Sequence, residues 1–340
     1  MKRVITFGEI MLRLAPEDSL RFFQNDRMKA SFGGAEANVA VSLANYGLDA
    51  ALVTKLPEHD IGRAAISQLK AFGVDTGLIT RGGSRVGIYY LEKGASQRPS
   101  KVIYDRAYSA LALAESSDFD WDEIFDGADW FHFTGITPAL GKNVADICLE
   151  ACRKAKERSI TISCDLNYRK NLWTTEEAHE TMSKLMAYVD LCIANEEDAD
   201  KVFGIRGSET DVTRGQLNYQ GYQDVALQLK QKFDFDYVAI TLRSSISADD
   251  NEWSALLYDS REFYFSPTYP VHIVDRVGGG DSFGGGLIYG LLTGMSSRDA
   301  LDFATAASCL KHSIEGDFNR VTVAEVENLV RGDASGRVQR

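Results

Sequence analysis

The sequence predicts an α/β fold with a central, mostly parallel sheet, helices on both faces and a small additional β-strand lid. Short apolar runs typical of strands alternate with segments of helical apolar spacing along most of the 340 residues. Two stretches, about 9–32 and 84–110, break this alternation with runs rich in Tyr, Val and Ile between turn residues. These stretches predict short antiparallel strands. In such a fold, ligands bind at the carboxyl ends of the parallel strands.

The elements follow in strand and helix order. KRVITF predicts the first strand, and GGAEANVAVSLANYG predicts a helix that ends at Gly47. AALVTK predicts the next strand, and a helix follows from about Ile61 to Phe72. Later strands are predicted by ADWFHFTG, ITISCDL, DLCIAN and YVAITL, and later helices by NVADICLEACRKAKERS, TEEAHETMSKLMAY, EEDADKVFG and QDVALQLKQKF. WSALLYDSREFYFSP, near 253–267, predicts a hairpin at the sheet edge. We expect one domain over 1–340, with the lid formed from about 9–32 and 84–110.

The composition excludes several classes of protein. Hydrophobic residues make up 44% and charged residues 25%, which is ordinary for a globular chain with a sizeable core. A net charge of −12 argues against a general binder of nucleic acid or anionic membranes, since such partners attract a basic surface. The five cysteines form no CxxC pair, which indicates buried thiols of a cytoplasmic protein. No export signal or membrane-spanning segment is predicted.

The run DRVGGGDSFGGG at 275–286 precedes a segment of helical spacing and predicts an anion site at a helix N-terminus. The Walker pattern and the dinucleotide pattern G-x-G-x-x-G are both absent. What is left is a turn whose amides at Gly279, Gly280 and Asp281 hold a phosphoryl group, while the Asp281 carboxylate accepts the proton of the attacking hydroxyl. The plainer alternative for Asp281 is a helix N-cap.

This run resembles the D-[TP]-[VT]-G-A-G-D-x-F signature of the ribokinase-like (PfkB-type) sugar kinases, and GGAEANVA resembles their N-terminal glycine motif. The similarity covers nearly the whole chain. It implies a ribokinase-like fold and transfer of the γ-phosphoryl of ATP, with Mg²⁺, to a sugar hydroxyl. It also implies that Asp281 is the general base and that Gly278, Gly279 and Gly280 form the anion hole.

Three positions depart from the family pattern. Arg276 stands where Thr or Pro is usual, and Gly279 stands where Ala is usual. In NEED, Asp198 replaces the family's Glu, an acid associated with water around Mg²⁺. Asp275 matches a position near the nucleotide and, in some relatives, near a monovalent cation, and whether such a cation binds here is left open. The resemblance assigns no direct metal ligand. It implies nucleotide contacts at Asn195, Thr241, Arg243, Asp275, Gly278, Gly280 and Asn319.

Within the family, the chain is most similar to kinases of 2-keto-3-deoxygluconate, which implies a sugar acid phosphorylated at its terminal hydroxyl. Two arginines, Arg106 and Arg169, suit a substrate carboxylate, whereas a neutral hexose has no group that would pair with them. The implied substrate contacts are Gly34, Tyr89, Tyr104, Arg106, Ile136, Asn167, Arg169 and Asp281.

Several alternatives stay open on the sequence alone. The acceptor could be a neutral sugar, as in fructokinases or ribokinases, or the chain could be a sugar-acid binder without turnover. Arg169 could form a structural salt bridge, and Tyr89 and Tyr104 could pack within the lid. The sequence does not distinguish gluconate-derived from galactonate-derived epimers. Exposed lid strands would suit a homo-oligomer formed by edge pairing.

Overall fold

The computed structural model describes residues 1–207 and 219–333. Their strands are β1 (Arg3–Phe7), β2 (Met11–Ala15), β3 (Lys29–Gly33), β4 (Asp49–Leu56), β5 (Ile79–Arg81), β6 (Ile88–Glu92), β7 (Lys101–Asp105), β8 (Trp130–Thr134), β9 (Thr161–Asp165), β10 (Leu191–Ala194), β11 (Tyr237–Ser245), β12 (Asp250–Tyr258), β13 (Phe263–Phe265) and β14 (Tyr269–His272). Their α-helices are α1 (Ala35–Asn45), α2 (Asp60–Ala71), α3 (Trp121–Ile124), α4 (Lys142–Glu157), α5 (Thr175–Met186), α6 (Glu196–Phe203), α7 (Tyr219–Phe233), α8 (Gly279–Leu292), α9 (Ser297–Lys311) and α10 (Val323–Val330).

The main sheet has ten strands, with β13-β12-β11-β10-β9-β8-β1-β4-β5 in order and β14 paired to β12. All neighbours from β5 to β11 are parallel, and the pairs that involve β12 are antiparallel. The mostly parallel sheet is therefore confirmed. The predicted hairpin is β12 with β13, and it lies at the sheet edge as expected.

Helices cover both faces of the main sheet because alternate side chains of each strand point in opposite directions. In β1, Ile5 and Phe7 belong to the core beneath α3 to α7. Val4, which precedes Ile5 and points to the opposite face, belongs to the core beneath α1, α2, α8 and α9. All three side chains are fully buried. Because both faces of these strands are buried, their segments are continuously apolar in the sequence.

A second, small sheet has the order β3-β2-β6-β7, and we call it the small sheet. β2 and β3 lie in the stretch about 9–32, and β6 and β7 lie in the stretch 84–110. The pairs β2–β3 and β6–β7 are antiparallel, as predicted, but β2 and β6 pair in parallel. The expectation of antiparallel strands is therefore confirmed within each stretch, and the parallel pairing between the two stretches was not predicted. β2 follows β1 and β6 follows β5, so both leave the same edge of the main sheet and run the same way.

The cysteines are mostly buried, as the sequence predicted. All five cysteines are free thiols, and all except Cys309 are fully buried. Over the described ranges, no helix has both the length and the apolar character that crossing a membrane requires.

Candidate active site

A cleft of about 710 Å³ lies between the carboxyl ends of the parallel strands and the small sheet. This is the position that an open α/β sheet offers to a ligand, and the volume is typical of a small-molecule site. Most of the site residues expected from the sequence line this cleft. They are Gly34, Tyr89, Tyr104, Arg106, Ile136, Asn167, Arg169, Asn195, Thr241, Arg243, Gly278, Gly280 and Asp281.

One end of the cleft is formed by residues 278–281, which we call the glycine turn. Gly278 is the N-cap of α8 and has a φ of 81°, a left-handed conformation that favours glycine. The first intrahelical N–H is that of Ser282, which donates to the Gly278 carbonyl at 2.8 Å. The N–H groups of Gly280 and Asp281 have no backbone acceptor among the described residues. They are therefore available to an anion at the positive end of the helix.

Asp281 is the third residue of α8, and its side chain does not cap the helix, so the N-cap alternative does not describe it. Its carboxylate accepts a hydrogen bond from Asn38 Nδ2 at 2.6 Å. Burial raises the pKa of Asp281 to about 7, helped by the negative charges of Glu36 and Asp317 and opposed by Asn38 and Arg169. A carboxylate with such a pKa is a suitable general base near neutral pH.

The first turn of α1 fixes the middle of the cleft. A Cβ on Gly34 would fall 1.9 Å from the Glu9 carbonyl oxygen, so only glycine allows this close approach. The Oε1 atom of Glu36 accepts hydrogen bonds from Thr134 N at 3.0 Å and from the Thr134 and Thr137 hydroxyls at 2.7 Å. These bonds hold the loop that presents Ile136. Neither Glu36 nor Asn38 was expected as a site residue, although both lie in GGAEAN.

The small sheet contributes an aromatic wall to the cleft. The rings of Tyr89 and Tyr104 lie 6.1 Å apart, and the Arg106 guanidinium lies 5.5 Å from the Tyr104 ring centre. Arg106 is also paired with the buried Glu9, whose Oε2 accepts from Arg106 Nε at 2.8 Å. The Tyr89 hydroxyl donates to the Asp317 carboxylate at 2.5–2.6 Å. The charge of Arg106 and the hydroxyl of Tyr89 therefore already have protein partners.

Arg169 follows β9 and stands half-buried in the cleft, where its Nη1 donates to the Tyr168 carbonyl at 3.0 Å. Nearby, Asp198 accepts from Tyr168 N at 3.0 Å and from Asn195 Nδ2 at 2.8 Å. Burial raises the pKa of Asp198 to about 6, while Arg169 opposes the shift. Asp165 also lines the cleft and was missed in the sequence, although a carboxylate that closes an apolar strand run is a signal for such a position.

The end of the cleft beside the glycine turn carries cationic side chains. Thr241 and Arg243 project from β11, and Arg243 is exposed. Arg276, noted in the sequence only as a departure from the family pattern, also lines the cleft and donates to the Ala248 carbonyl at 2.9 Å. Two arginines beside the glycine turn suit a polyphosphate.

Three predicted residues do not line the cleft. Asn319 is 1% exposed, and its Nδ2 donates to the Tyr46 hydroxyl at 2.8 Å and to Ser282 Oγ at 3.2 Å. Its contact with a nucleotide stays a prediction. Asp275 is 1% exposed and is paired with Arg13 Nη2 at 2.5 Å. Gly279 backs onto the His312 ring, 2.5 Å from where its Cβ would stand.

The chain is similar to known proteins along most of its length. Residues 1–319 match the model of the pfkB family carbohydrate kinases. The crystal structure of 2-dehydro-3-deoxygluconokinase from Thermotoga maritima superposes with a TM-score of 0.94 and 54% identity, covering 98% of this chain and 100% of that one. 2-Dehydro-3-deoxygalactonokinase of Haloferax volcanii is 33% identical over 98% of both chains. 2-Dehydro-3-deoxygluconokinase of Bacillus subtilis is 26% identical over 94% of this chain and 93% of its own. With its glycine turn, its Asp281 and this match over most of its length, the chain belongs to the pfkB family of carbohydrate kinases.

Proposed function

We propose that this kinase transfers the γ-phosphoryl of ATP to the terminal hydroxyl of 2-keto-3-deoxygluconate, also named 2-dehydro-3-deoxygluconate. The observation that carries the proposal is one cleft that holds both the Asp281 carboxylate beside the glycine turn and the guanidinium of Arg169. Asp281 beside the glycine turn suits phosphoryl transfer, and the Arg169 guanidinium suits a substrate carboxylate. The names of the two deoxygluconokinase relatives support this acceptor.

The residues divide the work between proton transfer and positioning. Asp281 accepts the proton of the sugar hydroxyl while the hydroxyl oxygen forms a bond to the γ-phosphorus of ATP. The bond between that phosphorus and ADP breaks. The N–H groups of Gly280 and Asp281 hold the oxygens of the moving phosphoryl. Arg243 and Arg276 lie along the triphosphate. Because phosphoryl transfer is mostly positioning and charge stabilisation, these groups are sufficient.

The acidic side of the cleft fits Mg²⁺. Asn195, Glu197 and Asp198 line it with oxygen donors, and Mg²⁺ in kinases is commonly held by one or two protein oxygens, phosphates and water. Within the described part of the chain, no group of three or more acidic, His or Cys side chains is placed to hold a metal ion. The ion would neutralise phosphate charge. For a monovalent cation, Asp275 is the candidate, although Arg13 already supplies positive charge there. Comparing turnover in K⁺ and Na⁺ tests that requirement.

We further propose that residues 1–340 act as one cytoplasmic kinase domain in which the small sheet is a lid over the sugar. The outer strand β7 is exposed at all five residues, including Val102, Ile103 and Tyr104, and no described strand pairs with its outer edge. An exposed apolar edge strand suits pairing with a second copy of the chain. Light scattering of the purified protein, compared with an Ile103→Lys variant, tests this association.

The acceptor is tested by measuring ADP formed from ATP and Mg²⁺. We expect turnover with 2-keto-3-deoxygluconate, and the galactonate-derived epimer measured beside it gives the stereochemical preference. Fructose and ribose test the alternative of a neutral acceptor. Higher kcat/KM for a neutral sugar than for either acid would overturn the proposal. Binding of the acid without ADP release would support a non-catalytic binder.

Removing the guanidinium of Arg169 is expected to raise the KM for the sugar acid far more than it lowers kcat. The contact with the carboxylate exists in the ground state and the transition state alike. A charge-assisted contact of about 1.5–3 kcal/mol corresponds to about a ten- to hundredfold loss in affinity for Arg169→Ala. Lysine should restore only part of it, since the two-pronged geometry is lost.

The control for Arg169→Ala is an acceptor without the carboxylate, such as the corresponding neutral deoxy sugar. Its already high KM should hardly change. Equal proportional losses for the acid and the neutral acceptor would show that Arg169 supports the fold of the cleft and does not select the acid.

The pH dependence of kcat/KM should follow Asp281. Its pKa, raised to about 7 by burial, means that the carboxyl is protonated and inactive as a base below that pH. We expect kcat/KM to fall about tenfold per unit below pH 7 and to level off above it. Initial rates at low substrate between pH 5 and 9 measure this. An acid limb near the ordinary aspartate value, about 4, would show that Asp281 is not the titrating base.

A further inference from the structure

Asp317 lies where the small sheet meets the glycine turn, and its side chain is only 3% exposed. Its carboxylate accepts hydrogen bonds from Arg13 Nη1 at 2.8 Å and from the Tyr89 hydroxyl at 2.5–2.6 Å. Arg13 is on β2 and Tyr89 is its partner on the neighbouring strand β6. A Cβ on Gly33, the last residue of β3, would fall 2.0 Å from Asp317 Oδ2. Three of the four strands of the small sheet therefore converge on this carboxylate.

The other side of Asp317 touches the glycine turn. A Cβ on Gly278 would fall 2.1 Å from the Asp317 carbonyl oxygen, so the two backbones are in direct contact. Arg13 makes a second link, because its Nη2 bonds Asp275 at 2.5 Å, three residues before Gly278. Asp275 also accepts from the N–H of Gly316 at 3.1 Å. The segments that contain Asp275 and Asp317 are thus joined to each other and to β2.

The charges in this contact are buried. The side chains of Arg13, Asp275 and Asp317 are at most 3% exposed. Interactions between buried charges are strong, and separating such pairs leaves an uncompensated charge away from water. The small sheet therefore cannot move away from Asp317 without breaking these pairs. A displacement of either partner is transmitted to the other.

We propose that Asp317 is a positioning residue that couples the small sheet over the sugar acid to the phosphate-holding glycine turn. This inference rests on the proposed function. Sugar acid that fixes Tyr89 and β6 also fixes the Asp317 carboxylate, and through its main chain the position of Gly278. Binding of sugar acid and binding of nucleotide then favour each other by the same factor, as linkage requires.

A merely structural ion pair would behave differently. Its loss would lower the melting temperature, but it would not change how much one ligand improves the affinity for the other. The ratio of nucleotide affinities with and without sugar acid is therefore the informative quantity. It is measured by calorimetry with a non-hydrolysable ATP analogue and Mg²⁺, first alone and then with saturating acceptor.

In the wild-type chain we expect the acceptor to tighten nucleotide binding about 5- to 150-fold. Asp317→Asn removes the charge but keeps the shape, and Tyr89→Phe removes one hydroxyl but keeps the ring. Both should bring the ratio close to 1 and lower kcat. The matched control is Tyr90→Phe, which removes a hydroxyl from the opposite face of the same strand and should keep the wild-type ratio.

Retention of the wild-type ratio in both Asp317→Asn and Tyr89→Phe would overturn the inference, as would a ratio of 1 in the wild-type chain. A ratio close to 1 in Tyr90→Phe as well would mean that any change in the small sheet has this effect. That result would also contradict a specific role for Asp317. The acceptor used is the sugar that the ADP assay identifies. A wrong sugar therefore overturns the proposed function and leaves the coupling measurement valid.

Discussion

Replacing Asp281 with asparagine is expected to lower kcat by about 10²–10⁴ while sugar acid and nucleotide bind nearly as in the wild-type chain. The amide keeps the shape of the carboxylate and can still accept the hydrogen bond that Asn38 donates at 2.6 Å. It cannot accept the hydroxyl proton of the acceptor. Steady-state kinetics with calorimetry of both ligands separate the loss of chemistry from a loss of binding.

A matched control exists in the next helix. Asp299 is the third residue of α9, as Asp281 is of α8, but Asp299 is exposed and bonds the N-cap Ser296. Asp299→Asn therefore tests the loss of a carboxylate from a helix first turn away from the cleft, and kcat should not change. If Asp281→Asn retained more than about a tenth of the wild-type kcat, Asp281 would have only the structural role that Asp299 has.

The same substitution has an expected effect on stability. The pKa of Asp281 is raised by burial from 3.8 to about 7 in the folded chain, so the folded state holds a proton that the unfolded state releases. The carboxylate therefore costs stability increasingly as pH rises from about 4 to 7, and the full cost applies above 7. Asp281→Asn should melt at a temperature at least as high as the wild type at pH 8. That difference should shrink below pH 6.

Much of the fold was predictable because its signals are local. The strand ITISCDL and helix NVADICLEACRKAKERS became β9 and α4, since buried strands are continuously apolar and amphipathic helices are periodic. The direction in which β2 and β6 pair is not local. It depends on which edge of the main sheet each strand leaves, and no residue pattern within 9–32 or 84–110 specifies that.

The site residues likewise include some with a local sequence signal and some without one. Asp281 and its glycines are adjacent in sequence, and their chemistry could be inferred from the residue pattern. Arg13 and Asp317 are 304 residues apart, and nothing in either neighbourhood indicates that they pair. The hydrogen bonds of the buried Asn319 to Tyr46 and Ser282 could not be predicted either, because GDFNR shows only a polar side chain near the last helices.

Gly278→Ala is expected to lower kcat by about 10²–10³, the loss seen when one donor of an anion hole is removed. The φ of 81° already disfavours any side chain, at a cost of about 1–2 kcal/mol. The larger problem is the Asp317 carbonyl oxygen 2.1 Å from the new Cβ. That atom belongs to the backbone and cannot rotate away, so the glycine turn itself must shift. The N–H groups of Gly280 and Asp281 would then miss the phosphoryl oxygens.

Gly294 separates the cost of a left-handed alanine from the displacement of the glycine turn. It follows the other end of α8 with a φ of 84°, and nothing lies within 4 Å of its Cβ position. Gly294→Ala should lose about 1–2 kcal/mol of folding free energy, as any left-handed alanine does, and keep its kcat. Urea unfolding and steady-state kinetics on both variants measure the two effects. Normal turnover by a folded Gly278→Ala protein would mean that the amides do not hold the phosphoryl. In that case Arg243 and Arg276 would be the groups left to stabilise it, and the role of α8 would reduce to presenting Asp281.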